Sequence, residues 1–343
     1  MTSHQPAILE RTCTIAEAAE LIAVLTEAGE VPMIWGEPGI GKTDIVRQLG
    51  AMMNRPVIEF HAALRETVDL RGIPVADPVT GTTRWFVPDE LPREDRDGPE
   101  GYLFLDEFPQ GSPQMMAALA GLILYGVVGE YRLPKGWRVI AAGNRKQDRS
   151  ATNTMPVHIR NRFSHIYVVP DQKAWVTWAT TNDVAPEAVA FVRHRGHDVM
   201  HLPPKPEQNA HCTYRTLTKA SKFVHASPAQ RMRLFASLIG DGPATEFDGF
   251  INLYRSIGTL DDIIKNPLKA NVPTEASQKY AVATGLARKA TRANWKAIIT
   301  YANRLDAERQ TLLIHDATLR DPSLKETAEY GEWAVANGHL LMA

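Results

Sequence analysis

The sequence predicts an α/β domain with a five-stranded parallel sheet and helices on both faces, followed by an all-α region. Five short apolar runs in the first 170 residues have the length and composition of buried strands: residues 31–35, 56–60, 102–105, 137–142 and 165–169. The first run is followed by a glycine-rich loop, a helical pattern over residues 43–53, and the second run. That order is a βαβ unit, whose crossover makes the neighbouring strands parallel.

Helical patterns account for most of the remaining chain. Apolar residues recur at helical spacing from Ile15 and stop at Gly29, a residue type that commonly ends helices. Strand signals cease after residue 170, and helices are predicted over 186–195, 216–226, 228–239 and in a tail from about 244. The uncharged stretch 110–129 is too short in its apolar part to cross ~30 Å of hydrocarbon. It is therefore interpreted as a buried helix that opens at Ser112 and Pro113.

Composition restricts the class of protein. Of 343 residues, 44% are hydrophobic and 22% charged, which excludes a mainly disordered, collagen-like or coiled-coil chain. Lys plus Arg number 38 against 39 Asp plus Glu, so no overall basic surplus favours non-specific nucleic-acid binding. The two cysteines, Cys13 and Cys212, cannot form a disulfide framework and favour a reducing compartment. With no signal peptide or membrane segment recognisable, we expect a cytoplasmic protein without a membrane partner.

The segment GEPGIGKT matches the phosphate-binding pattern G-x-x-x-x-G-K-[ST] in full, and it lies between a predicted strand and a predicted helix. Glycines let successive backbone N–H groups point at one anion, and the helix N-terminus adds favourable potential. We expect Lys42 to reach the β- and γ-phosphates of ATP and the Thr43 hydroxyl to ligate Mg²⁺. The predicted nucleotide-binding loop comprises Gly36, Glu37, Pro38, Gly39, Ile40, Gly41, Lys42 and Thr43.

Polar residues follow the next predicted strands at the edge where parallel sheets bind ligands. Asp106 and Glu107 end the run YLFLDE. Asp106 could hold Mg²⁺, and Glu107 could orient and deprotonate an attacking water molecule. Asn144 follows the fourth run and is placed to contact the γ-phosphate and that water, although asparagine is also a common turn former. Arg160 and Arg162 precede the fifth run. The residues alone leave open whether either does more than form ordinary salt bridges.

The order and spacing of these segments resemble the AAA+ ATPases, and within them the MoxR group. GEPGIGKT is similar to that group's Walker A motif, YLFLDEF to its Walker B motif, IAAGN to its sensor-1 strand and IRNRF to its arginine-finger segment. Two further stretches, at about 61–100 and 125–136, resemble inserts of this clade. The likeness covers roughly residues 15–240. It implies an AAA+ domain over 1–170, an α-helical lid over 171–240 and a helical C-terminal extension over 241–343.

The resemblance also assigns roles to single residues. Asn144 corresponds to sensor 1. Arg162 corresponds to the finger that reaches the γ-phosphate of a neighbouring subunit, with Arg160 as an assisting candidate. Arg215 corresponds to sensor 2 at the start of a lid helix, although Tyr214 stands where relatives often have proline.

Members of this group hydrolyse ATP with Mg²⁺, work as ring hexamers, often with a von Willebrand factor A domain partner, and remodel or activate protein clients. We expect the same of this chain. An AAA+ nucleic-acid motor or loader is the alternative, but the two inserts carry mixed charge, which suits a protein client better than a phosphate backbone. An ATP-binding scaffold that hardly hydrolyses is disfavoured because Glu107 and both arginines are present.

One histidine cluster has spacing that a metal site could use. His194, His197 and His201 lie close in sequence, with His211 and Cys212 not far beyond. Gly196 and the two prolines after Leu202 interrupt any single helix that would align them, so we expect no metal there.

Overall fold

The computed structural model describes residues 12–145, 153–200, 209–256 and 260–337. The chain divides into two compact units, Met1–Asp171 and Gln172–Ala343. The first unit contains every strand found among the described residues, and the second is helical.

The strands of the first unit form one large sheet and two hairpins. In chain order they are β1 (Thr12–Cys13), β2 (Val31–Trp35), β3 (Val57–His61), β4 (Ile73–Asp77), β5 (Thr82–Phe86), β6 (Glu100–Asp106), β7 (Val127–Val128), β8 (Tyr131–Arg132), β9 (Gly136–Gly143) and β10 (Phe163–Val168). Six of them pair in the order β1-β10-β2-β9-β6-β3, with every pairing parallel.

Helices connect these strands and cover the sheet. They are α1 (Ile15–Glu27), α2 (Lys42–Met52), α3 (Thr67–Arg71), α4 (Glu94–Asp97), α5 (Pro113–Tyr125) and α6 (Val157–Arg160). Buried strands alternate their side chains between two apolar cores, as the two-residue period of a strand requires. Ile34 and Phe104 pack with α1 and α2 on one face, whereas Met33 and Leu103 pack with α5 on the other.

These findings confirm the predicted α/β architecture with helices on both faces, and they correct the number of strands. The five predicted runs correspond to β2, β3, β6, β9 and β10. The sixth strand, β1, has only two residues and pairs with β10 through Thr12↔Tyr167 and Cys13↔Val168. The prediction of five strands was wrong because a two-residue edge strand has no apolar run or alternation to reveal it.

The uncharged stretch 110–129 forms α5, as predicted. The Ser112 hydroxyl accepts a hydrogen bond from the Met115 backbone N–H at 3.1 Å, and Pro113 is the first helical residue. One side of the helix is buried against the sheet. Within the described residues, no helix is long and apolar enough to cross a membrane.

The two predicted inserts both contain hairpins. In the first, β4 and β5 pair antiparallel, with Ile73 opposite Phe86. In the second, β7 and β8 pair with Val128 opposite Tyr131. The Tyr131 hydroxyl donates to the Pro92 carbonyl at 2.8 Å, which ties the second insert to the end of the first.

The second unit contains only helices among its described residues. They are α7 (Gln172–Thr181), α8 (Pro186–Arg195), α9 (Tyr214–Ser221), α10 (Pro228–Ile239), α11 (Asp241–Ser256), α12 (Leu260–Lys265), α13 (Ala276–Lys289), α14 (Trp295–Ala302), α15 (Ala307–Arg320) and α16 (Ala328–Ala336). The helix predicted over 216–226 begins earlier, at Tyr214, because Thr213 caps it, and it ends at Ser221. One apolar core spans α7–α11, and a second gathers the helices from α12 onward.

Both cysteines are free and buried. Burial raises the pKa of Cys212 to about 12, so its thiol stays protonated at neutral pH. In the histidine cluster, His194 stacks on Phe250 with ring centroids 5.8 Å apart. The His197 side chain and His201 lie outside the described residues. Elsewhere in the described chain, no group of three or more candidate ligands gathers as a metal site.

A buried ion pair joins three helices of the second unit. Arg193 of α8 donates to both carboxylate oxygens of Asp316 in α15, at 2.5 and 2.8 Å, and to Thr284 of α13 at 3.1 Å. The side chains are 11% and 3% exposed. Burial favours a raised pKa for Asp316, but hydrogen bonds from His315 and Arg193 outweigh it and lower that pKa.

Removing Arg193 alone should therefore leave the buried Asp316 carboxylate without its cationic partner. Arg193→Met is expected to lower the free energy of unfolding by about 3–5 kcal/mol, and the double variant Arg193→Met/Asp316→Leu should recover most of that loss. The matched control is Arg292→Met in the exposed pair with Glu326, which should cost less than about 1 kcal/mol. Urea unfolding measures all three, and equal losses in both single variants would contradict the assignment.

Candidate nucleotide site

Three neighbouring strands bring the predicted site residues to one edge of the sheet. In the sheet, β9 lies between β2 and β6. The glycine-rich loop follows β2, Asn144 follows β9, and Asp106 is the last residue of β6. Since the strands are parallel, their carboxyl ends meet at the same edge.

The glycines of the loop adopt backbone angles that other residues avoid. Gly39 and Gly41 have φ values of 80° and 100°, in the left-handed region. A Cβ at Gly36 would lie 2.3 Å from the Ile40 Cδ1 atom and 3.0 Å from the Val168 carbonyl oxygen. Ile40 itself is buried in the core on the α1 and α2 side of the sheet. The loop is thus anchored by one apolar side chain and shaped by glycine.

The loop presents donors at the start of a helix. No hydrogen bond found among the described residues uses the backbone N–H of Gly39 or Gly41. Helix α2 begins directly afterwards, at Lys42. N–H groups without an acceptor and a helix N-terminus together favour an anion such as phosphate.

The Lys42 ammonium is buried, and three oxygen atoms of described residues accept hydrogen bonds from it. It donates to the Gly36 carbonyl at 2.9 Å, to the Glu37 carbonyl at 2.9 Å and to Asn144 Oδ1 at 2.7 Å. A buried cation needs such partners, because transfer from water without them is costly. Lys42 therefore links the phosphate loop to the end of β9.

Hard oxygen ligands suitable for Mg²⁺ face each other across the site. The Thr43 hydroxyl donates to Asp106 Oδ2 at 2.9 Å, while Asp106 Oδ1 accepts from the Glu107 backbone N–H at 2.8 Å. A hydroxyl beside a carboxylate is the kind of donor set that Mg²⁺ prefers. The residues present fit the cation.

Glu107 has an unusual backbone and a free carboxylate. Its φ of 54° and ψ of 34° lie in the left-handed region, which is uncommon for a residue other than glycine. Backbone strain of this kind concentrates at functional sites. Among the described residues, no hydrogen bond or ion pair engages the Glu107 carboxylate, so it is available to act on a water molecule.

Two residues that sequence reasoning missed complete the cluster. Arg145 donates to Glu37 Oε1 at 3.1 Å, and both side chains are largely buried. Gln110 bridges Glu107 and Asn144 through its side-chain amide. Only their positions could have indicated them in the sequence, because Arg145 directly follows Asn144 and Gln110 lies three residues after Glu107.

The predicted arginines Arg160 and Arg162 differ in their relation to this cluster. Arg160 and Arg162 are both exposed, and neither side chain has a hydrogen bond or ion pair with another described residue. Arg160 lines a cavity of about 300 Å³ together with Asn144 and Arg145, whereas Arg162 does not line it. Arg215 lies in the second unit, exposed in the first turn of α9.

His165 fastens the segment that carries both exposed arginines to the sheet. Trp35 Nε1 donates to His165 Nδ1 at 2.8 Å, and His165 Nε2 lies 3.0 Å from the Arg160 carbonyl oxygen. Because Nδ1 accepts, the neutral ring carries its proton on Nε2 and donates it to that carbonyl. Burial lowers the pKa of His165 below its ordinary value.

The part of the chain that holds this site is similar to a known domain. Residues 32–163 match the family model of the AAA domain, dynein-related subfamily. The matched stretch contains the phosphate loop, Asp106 and Asn144, and it ends before the second unit. This part of the chain is similar to an AAA domain, and the predicted AAA+ P-loop fold is confirmed.

Several solved structures are similar to this chain at low sequence identity and low TM-score. An ATPase candidate from Cytophaga hutchinsonii is 14% identical with a TM-score of 0.37, covering 88% of this chain and 79% of that one. NtrX from Brucella abortus in complex with ADP is 15% identical with a TM-score of 0.41, covering 94% and 69%. A mutant RuvB from Thermotoga maritima is 16% identical with a TM-score of 0.41, covering 82% and 85%. A comparison with curated protein sequences found no match.

The histidine contact predicts a dependence on pH. Because the folded-state pKa of His165 is lowered, its stabilising contribution is complete above the unfolded value of about 6.5 and is lost as pH falls through the folded value. NMR titration of the imidazole should give a pKa below about 6.5. Trp35→Phe removes the donor to Nδ1, so it should raise that pKa. A parent value at or above 6.5, or no change in Trp35→Phe, would contradict the contact.

Proposed function

We propose that the chain is a Mg²⁺-dependent ATPase of MoxR type, which assembles into rings and uses ATP hydrolysis to remodel or activate a protein client. The observation that carries this proposal is the convergence of Lys42, Thr43, Asp106, Glu107 and Asn144 at one sheet edge. Binding groups, cation ligands and a candidate base for water all belong to this one cluster.

The loop and Lys42 account for nucleotide binding. Backbone N–H groups at Gly39 and Gly41 and the start of α2 face the place where a phosphate group binds in this kind of loop. Lys42 would exchange its loop and Asn144 acceptors for phosphate oxygens. Thr43 and Asp106 would hold Mg²⁺, which supplies charge neutralisation on the β- and γ-phosphates when bound.

Glu107 and Asn144 account for the chemical step. The free Glu107 carboxylate would orient the attacking water and accept its proton. Asn144 lies next to Lys42 and would hydrogen-bond the γ-phosphate or that water. Arg162 or Arg160 would act as a finger for a neighbouring subunit, and Arg215 would act as a sensor in the lid proposed for residues 171–240.

The first insert supports a protein client. On one face of the β4–β5 hairpin, Ile73, Val75 and Phe86 are 63%, 42% and 66% exposed. Arg84 lies opposite Val75 on the same face and forms an ion pair with Asp77 at 3.8 Å. Contiguous exposed apolar side chains mark surfaces that contact other proteins. A nucleic-acid groove would instead expose several lysines and arginines that have no carboxylate partner, to neutralise phosphates. A von Willebrand factor A domain protein is the partner that the resemblance suggests, and a hexameric ring is the assembly.

Substitutions of Lys42 and Glu107 should separate binding from hydrolysis. Lys42→Ala removes charge that meets the phosphates, so nucleotide binding should be abolished. Glu107→Gln alters only the group that acts on water. ATP should therefore still bind, but its hydrolysis should slow by about 100-fold or more. Calorimetry and steady-state phosphate release measure the two effects. Turnover at the parent rate in Glu107→Gln would refute the assignment.

Hydrolysis should depend on the assembly, with Arg162 acting on the neighbouring subunit. Arginine fingers contribute roughly 10³ to 10⁵ in rate. Arg162→Ala subunits keep an intact nucleotide site, and Lys42→Ala subunits keep the finger, so mixtures should regain part of the activity that each lacks alone. Phosphate release from mixtures measures this, with exchange verified by labelled co-purification. Proven exchange without recovery would exclude Arg162, and the same experiment with Arg160→Ala would follow.

A further inference from the structure

Gln110 occupies a position between the two residues assigned to the attacking water. It ends the 3₁₀ turn Phe108–Gln110 that directly follows Glu107. Its amide nitrogen donates to the Glu107 carbonyl at 3.2 Å, and its oxygen accepts from Asn144 Nδ2 at 2.8 Å and from the Asn144 backbone N–H at 3.3 Å. This orientation is assigned from the network, because the reverse would point the oxygen only at acceptors and the nitrogen only at donors.

The Asn144 side chain is thereby oriented at both ends. Its Oδ1 accepts from Lys42 at 2.7 Å, and one Nδ2 hydrogen goes to Gln110. A carboxamide nitrogen has two hydrogens, so the second remains available for a phosphate oxygen or a water molecule. Without the Gln110 acceptor, the Asn144 amide can rotate so that its oxygen faces an anionic phosphate, which repels that oxygen.

We propose that Gln110 is a positioning residue for hydrolysis, an inference that rests on the proposed ATPase function. It fixes which atom of the Asn144 amide faces the reacting groups, and it ties that amide to the turn that carries Glu107. Its link to Glu107 runs through the backbone carbonyl, so the carboxylate remains free. Nucleotide binding depends on the loop, Lys42 and Thr43, which Gln110 does not contact in any hydrogen bond found among the described residues.

The first test compares two glutamines four residues apart. Gln110→Met keeps the length of the side chain and removes both hydrogen-bonding functions. Gln114→Met is the matched control, because Gln114 is exposed and its side chain has no hydrogen bond among the described residues. In Gln110→Met, kcat should fall about 10- to 100-fold while the Kd for ATP changes less than about threefold. Gln114→Met should match the parent in both, and thermal unfolding should show all three proteins folded.

A double-variant cycle tests whether Gln110 acts through Asn144. Asn144→Ala removes the group that Gln110 orients, so adding Gln110→Met to it should cause no further loss of kcat. Gln110→Glu keeps an acceptor oxygen for Asn144 and should retain more activity than Gln110→Met. The proposal would be overturned if the loss of kcat in the double variant equalled the product of the two single losses. An unchanged kcat in Gln110→Met would also overturn it. A folded parent that binds ATP without hydrolysing it would instead refute the proposed function, and this proposal with it.

Discussion

The site depends on keeping one buried ammonium group, that of Lys42, supplied with oxygen acceptors. Two of its acceptors are carbonyls of the loop itself, and the third is Asn144 on a different strand. A buried cation without partners is strongly disfavoured, so the loop conformation and the end of β9 are fixed together. A phosphate group offers the same ammonium stronger, anionic acceptors. In the proposed function, binding of nucleotide is therefore an exchange of partners in which Asn144 takes part.

The order of the strands connects Lys42 and its acceptors to the rest of the site. Because β9 separates β2 from β6, Asn144 stands between the loop and the acidic pair Asp106 and Glu107. Gln110 then connects Asn144 back to Glu107. A change at Lys42 can reach Glu107, the residue proposed to act on water, through two hydrogen-bonded amides, without movement of the strands. Hydrogen-bonded networks of this kind are stiff when every member is satisfied.

Much of this arrangement was predictable because its determinants are local. A buried parallel strand is apolar along its length, and a loop with glycines at left-handed positions has few alternatives, so β2, the loop and α2 follow from adjacent residues. Asp106 and Asn144 could be placed at strand ends for the same reason. Strand β1 could not be found, since two residues carry no periodicity. Gln110 and Arg145 were missed because their roles depend on side chains brought near only by the fold.

The contacts within one chain give little basis for choosing between Arg160 and Arg162. Arg160 and Arg162 differ by two positions, and both are exposed, so pairing within the described chain cannot rank them. What distinguishes them is their neighbours: Arg160 shares a cavity with Asn144 of its own subunit, and its carbonyl is bonded by His165. Arg162, one residue before β10, has neither constraint. A finger that serves another subunit must remain uncommitted in its own, and of the two arginines Arg162 meets that condition better.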